Sequence, residues 1–463
     1  MPEMAQEIAD WVADFDPAFL PDDVLHEAKR RLIDSIGVAF AAYDCPPGVA
    51  ARTLCRRTRS DPGATPFGSR IASSPELAAF HNGVLIRYLD FNDTYLSLEP
   101  AHPSDNIVAA LAAAELAGST GRDLLGAVVL GYEVQCRLCD AASLRARGWD
   151  HVTYGAISTA LLSGKLLGLS AEQLRHALAL AAIPNVALRQ TRSGELSMWK
   201  GCAFANAARN GVFAALLAGE GVTGPWEVFE GEFGFWKQVA GPFALPPLAG
   251  VTGDDWMILQ TYIKFWPVEY HAQSAVDAAL QLRSKIDITQ IERIEIASFD
   301  AAVDIIGKDP EKYRPRSRET ADHSMPYCVA IALLAGDVTA AHFGPHWLAH
   351  PRVANLLQRT TMQRDPVLNA GYPEGIPNRL RITQADGKVA ELEVRYPRGH
   401  ARNPMTDDEV EQKFLSATTG SALDGRQRAV LDLLWQIDTA ASVAPLFALL
   451  AVDDLEASAD AGR

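Results

Sequence analysis

The chain has 463 residues, 48% of them hydrophobic and 21% charged, which excludes a disordered polymer and exceeds one ordinary core, so two domains are expected. The net charge is −15, from 42 basic and 57 acidic side chains, which argues against nucleic acid as a partner. An anionic substrate must therefore meet a local cluster of Lys, Arg and His.

The opening MPEMAQEIADWVADFDPAFL is acidic and helical in pattern. It lacks a basic n-region and an apolar core, so no signal peptide is expected and the location is read as cytoplasmic. No apolar run approaches the roughly 18 residues that cross a bilayer, so no membrane partner is expected. Pro21, Asp22 and Asp23 open a helix through VLHEAKRRLIDSIGVAFAAY. Asp105 is placed to cap the next, IVAALAAAELAG. Thr120-Gly121-Arg122 leads into a third, residues 156–167 form a fourth, and Ser170 caps AEQLRHALALAA. Few windows alternate with period two, so residues 1–250 read as an all-α domain.

The pattern changes after Pro246. Residues 250–255 read as a loop. RIEIASF has strand alternation, and Asp386-Gly387 separates two alternating runs in RLRITQADGKVAELEVRYP, a hairpin signal. HAQSAVDAALQLRS and SMPYCVAIALLAG are helical between them. The expected fold class is mainly α: a large all-helical domain over 1–250, rejoined by 401–463, plus a smaller α+β lid domain over 251–400. The tail ending DLEASADAGR is expected to fray.

Six cysteines occur, at 45, 55, 136, 139, 202 and 328. Cys136 and Cys139 form a C-x-x-C within a helical pattern, with no second pair nearby, and read as packing. The set does not suit an iron–sulfur cluster. His342, His346 and His350 are spaced by four, but Gly344 and Pro345 break any helix there. No Walker loop, Rossmann fingerprint, G-x-S-x-G elbow or H-E-x-x-H is present, so neither a nucleotide cofactor nor serine hydrolysis is indicated. No cofactor and no metal are expected.

Polar segments interrupt the apolar helices. LDFNDTYLSLEPAHPSDN places Asp90, Thr94, His102 and Asp105 in one Pro-broken stretch, which is either a capped loop or a loop presenting a histidine and carboxylates to a cleft. RQTRSGELSMWKGCAFANAARNG carries Arg192, and Lys200 where a loop enters a small-residue helix. There the lysine either reaches solvent or joins the helix N-terminus in holding a carboxylate. YIKFWPVEYHAQSAVDAAL carries Lys264, Glu269 and His271 around Pro267. RETADHSMPYCVAIALLAGD carries Tyr327, with Asp322 or Ser324 as an ordinary cap and His323 read as a local capping or packing residue. His151 stands in GWDHVTYG.

Together and in this order, LDFNDT with HPSDN, SMWKGCAFANAARNG, FWPVEYHAQSAVDAA, ADHSMPYCVA and RYPRGHARNP resemble the MmgE/PrpD family over nearly the whole chain. The resemblance implies a large helical domain with an α+β lid, in a homodimer. It implies action on a small anionic tricarboxylate, as in 2-methylcitrate dehydratases; cis-aconitate decarboxylases and an iminodisuccinate epimerase belong to the same family. The decarboxylase pocket residues fall by motif on Asp90, Thr94, His102, His151 and Lys200. The decarboxylase has a histidine where this chain has Glu269, with His271 two residues later, which favours the dehydratase branch (2-methylcitrate or citrate). The resulting expectation is a metal-independent hydro-lyase with Asp90, His102, Lys200, His271 and Tyr327 as catalytic groups. Thr94, His151, Arg192, Lys264 and Glu269 would then bind substrate. Asp90 would orient His102 or act as base, and the alternatives are decarboxylation and epimerisation.

Overall fold

A computed structural model describes residues 3–250 and 255–452. The loop expected at 250–255 falls largely, and the tail ending DLEASADAGR falls entirely, outside the described residues.

The protein is mainly helical. The Met4–Asp14 helix shows why: Met4, Ile8 and Val12 recur at helical spacing and all turn inward. Asp22–Ala41 follows, then Gly121–Ala141 with a Thr120–Asp123 capping box, and Ala171–Ala182 with a Ser170–Gln173 box. Asp105 does not cap the Ile107–Ala117 helix. A 3-10 turn, Pro103–Asn106, runs directly into it, and Asp105 instead accepts from Asn92 Nδ2 at 2.8 Å. Nor is the first unit purely helical. Arg59–Ala64 is extended, because Pro62 and Gly63 break the helical pattern. Asp93–Thr94 is a strand too short to display alternation.

Two helices pack closely enough to define the site. Gly201 of Trp199–Gly219 lies against the end of Pro75–Tyr88, where an added Cβ would stand 3.3 Å from Tyr88 Cα. That contact places Lys200 beside the segment that begins at Leu89.

The buried apolar side chains form two clusters. One joins Ile8, Leu32, Val108, Leu130 and Phe204 with Val410, Phe414, Leu431 and Leu446, so the C-terminal helices pack on the N-terminal core. Lys413 adds an ion pair to Asp34 at 2.6 Å. The second cluster joins Val268, Ala275, Ile294, Ile331, Leu380 and Ile382. Its sheet has the order Thr360–Arg364, Ile291–Ser298, Asn378–Gln384, Val389–Val394; the first pair is parallel and the others antiparallel. Asp386-Gly387 makes the final hairpin turn, with Gly387 at φ 82°. The helices Gln273–Arg283 and Met325–Ala335 belong to this cluster.

A two-stranded antiparallel ribbon ties the units together: Asp93 pairs with Ile263 and Thr94 with Tyr262. It holds the Asp90–Thr94 stretch against Lys264.

Among the described residues no helix is long and apolar enough to cross a membrane. All six cysteines are buried free thiols. Burial pushes the Cys136 and Cys139 thiols well up, so the C-x-x-C packs inside its helix and is not a reactive pair.

Candidate active site

Asp90 is the hub. It is buried, and it adopts φ 51°, a left-handed conformation that is costly for a residue with a side chain. Arg87, one turn earlier on the Pro75–Tyr88 helix, pairs with Asp90 Oδ1. Lys264 donates to Asp90 Oδ1 at 2.7 Å and to its carbonyl oxygen at 2.9 Å. Lys200 reaches Asp90 Oδ2 at 3.3 Å, and His323 Nε2 lies 3.4 Å from the same oxygen. Burial alone would raise the Asp90 carboxyl, but Arg87, Lys200 and Lys264 hold it well below the ordinary range. With its oxygens engaged by cations, Asp90 is a poor base. It also does not orient His102.

His102 is held otherwise. Its Nδ1–H donates to the Asp93 carbonyl at 2.7 Å, with Thr94 Oγ1 at 3.1 Å, and Arg87 Nη2 donates to Nε2 at 2.8 Å. Burial, then Arg87 and Lys264, lower its pKa well below the usual value, so the ring is neutral with both nitrogens occupied.

Two histidines of this cluster leave a ring nitrogen without a partner among the described residues. Glu269 accepts from His271 N at 2.9 Å and from His271 Nδ1 at 2.8 Å, while His271 Nε2 has no protein partner. Asp150 Oδ1 lies 3.1 Å from His151 Nδ1, and His151 Nε2 is likewise unpartnered. Burial, then Arg192, push His151 down to about 3. Arg192 pairs with Asp150 at 3.0 Å. The His102 and His151 rings meet edge-on with centroids 5.7 Å apart.

One cavity gathers these groups. Asp90, Thr94, His102, His151, Arg192, Lys264, Glu269 and His271 all line it. So do Arg87, Glu99, Arg145, Arg189, Lys312 and His323, which the sequence did not single out as site residues. Its walls come from both core units. Six Arg or Lys side chains against three carboxylates make it a cationic recess in an acidic protein.

Two expected residues stand elsewhere. Tyr327 is buried in the second core against Phe343, and its hydroxyl donates to the His342 carbonyl at 2.8 Å. Met325–Ala335 turns it into the α+β core, because Ser324 caps that helix through Tyr327 N and fixes the rotation of its first turn. Lys200 is buried behind the wall, bonded to Asp90, to Asp322 at 3.4 Å, and within 3.2 Å of His323 Nδ1. It braces the hub and does not line the cavity.

His323, which the sequence suggests as a capping or packing residue, lines the cavity instead. Since Ser324 does the capping, Asp322 is free to accept from His323 Nδ1 at 2.6 Å, and His323 turns to the cavity. Burial and then Lys200 lower His323 to about 4. Asp90, Asp322 and His323 also make a close histidine–carboxylate group that linear spacing hid. The cation at its centre is the Lys200 ammonium, 3.2–3.4 Å from each member. A divalent ion would have to displace it, beside Arg87 and Lys264. His342, by contrast, bonds Thr339 N locally through Nδ1 at 2.9 Å.

The model of the MmgE/PrpD N-terminal domain matches residues 6–247, and that of the MmgE/PrpD C-terminal domain matches residues 266–437. The chain is 32% identical over 403 residues, 81% of each chain, to a protein of Cupriavidus necator named 2-methylcitrate dehydratase. It is 29% identical, over 87% of each chain, to one of that name from Escherichia coli (strain K12). It is 28% identical, over 96% of each chain, to a cis-aconitate decarboxylase-like protein, oryM, of Aspergillus oryzae. Both halves of this two-core architecture thus carry the matching signature, and the chain belongs to the MmgE/PrpD family.

Proposed function

We propose that this protein is a hydro-lyase that eliminates water from 2-methylcitrate, or from citrate, without a metal ion. The carrying observation is the Glu269–His271 pair: a carboxylate fixes Nδ1 and leaves Nε2 unpartnered at the edge of a cationic cavity. With Nδ1–H donated to Glu269, the lone pair a general base needs lies on Nε2.

His271 Nε2 takes the proton from the carbon next to a carboxylate. Negative charge spreads onto that carboxylate, where lining cations such as Lys264 and Arg192 stabilise it. The C–O bond then breaks, the hydroxyl leaves with a second proton as water, and a conjugated alkene remains. His151 is the proposed proton donor. Its Nε2 is unpartnered, and a bound trianion raises the pKa that burial and Arg192 depress. His102 positions Arg87, and Lys200 and Asp90 brace the wall. The α+β unit acts as a lid that excludes water.

The homodimer and the cytoplasmic setting in propionate catabolism are part of this proposal. Trp226 and Phe233, 64% and 78% exposed, line one surface recess with Ile183, an apolar patch that supports a subunit contact.

A second reading, decarboxylation of cis-aconitate, has the Aspergillus relative behind it. Incubation with a panel of tricarboxylates separates the readings. Dehydration raises ultraviolet absorbance without releasing CO2, decarboxylation releases CO2, and epimerisation does neither.

A further inference from the structure

Lys312 is only 5% exposed and lines the same cavity, yet its ammonium makes no hydrogen bond or ion pair with any described residue. It sits on the 3-10 turn Pro310–Tyr313. Ser324 Oγ donates to the Lys312 carbonyl, which pins this turn beside His323. Asp309, Asp322 and Glu269 act on the Lys312 ammonium only at a distance and burial outweighs them, so it is held at a cost that a bound anion in direct contact offsets. The other buried cations of this cavity, Arg87 and Lys264, are already matched with Asp90. Arg189, on the N-terminal side of the cavity, resembles Lys312, for its guanidinium makes no hydrogen bond or ion pair with a described residue.

Resting on the tricarboxylate reading above, we propose that Lys312 is the counter-charge for one substrate carboxylate and makes the site select tricarboxylates over dicarboxylates. Lys264 and Arg192 are pre-engaged by the protein's own carboxylates, whereas Lys312 gains its full partner only from the ligand. A dicarboxylate can settle on the remaining cations. A tricarboxylate needs this one as well.

The test is calorimetric binding of tricarballylate, which lacks the reacting hydroxyl, beside glutarate and succinate. Wild type, Lys312→Met and Lys312→Arg are compared as full chains. Wild type should prefer tricarballylate. Lys312→Met should weaken tricarballylate about 10- to 100-fold, the weight of one charge-assisted contact, and shift the dicarboxylates far less. Lys312→Arg should keep the preference. If Lys312→Met lowers the melting midpoint, Lys312→Gln carries the same comparison. A tricarballylate affinity within twofold of wild type, or an equal loss for all three ligands, overturns the inference. Selective loss in a protein that turns over no tricarboxylate would instead sink the dehydratase reading and leave this assignment standing.

Discussion

The Glu269 carboxylate grips His271 twice, at the main-chain nitrogen and at Nδ1, and so fixes both the position of the ring and the nitrogen left free. Glu269→Gln keeps the shape but can turn an amide N–H toward Nδ1, which favours the wrong tautomer. Turnover should fall about 10²- to 10⁴-fold with little change in KM. Steady-state kinetics on a variant with wild-type circular dichroism checks this. A raised KM at unchanged kcat would make Glu269 a binding group only.

Asp90→Asn should cost stability as well as activity. Arg87, Lys200 and Lys264 would lose their shared counter-charge in a buried site. Breaking such a cluster costs about 3–5 kcal/mol. Urea unfolding measures it, and a loss below about 1 kcal/mol would show that these cations find other partners or water.

Lys200→Met should raise the pKa of His323 above its value of about 4. Burial keeps that value low first and Lys200 second, while Asp322 and Asp90 pull upward. Without the ammonium, the carboxylates oppose burial alone. Imidazole titration by NMR reads the change. An unmoved or lower value would mean that Lys200 does not govern His323.

His81 supplies a pH signature outside the site. It is fully buried, with Nδ1 at 3.0 Å from Asn82 Oδ1 and Nε2 unpartnered. Burial lowers its pKa from 6.5 to about 4. Because the folded value is the lower one, the unfolded chain binds the extra proton first as pH falls. The stabilisation is fully present above 6.5 and lost as pH falls toward about 4, at roughly 1.4 kcal/mol per pH unit. His81→Gln should flatten the stability profile in that window and leave it unchanged above. Identical slopes in unfolding curves at pH 6 and 5 would contradict this.

Much of the architecture was legible in local signals. The helix start at Thr120-Gly121-Arg122, the Ser170 cap, the Asp386-Gly387 hairpin and the switch to alternation at RIEIASF each depend on a few neighbouring residues. The return of Val410 and Phe414 to the first core follows from a helical pattern that resumes after the hairpin. The site was legible only where a motif marked it. Arg87 sits in the apolar run GVLIRYLD, where a charge is itself a signal of a buried ion pair. His323 was concealed by the neighbouring Ser324, which took the capping role that sequence assigned to the whole segment. Lys200 and Tyr327 lie near the cavity in sequence motifs, but neither side chain lines it. Facing depends on helix rotation, and that is set by distant contacts such as Gly201 against Tyr88.

The central claim is that the chain's own side chains carry out the elimination, with Glu269–His271 as the base. Its most direct test is the rate of conjugated-alkene formation from 2-methylcitrate by enzyme exhaustively treated with EDTA and an iron chelator, beside His271→Gln treated identically. Undiminished turnover in the chelated wild type, lost in His271→Gln with the fold intact, is the expected result. Loss of wild-type activity on chelation that one added metal restores, or a His271→Gln variant as fast as wild type, would contradict it.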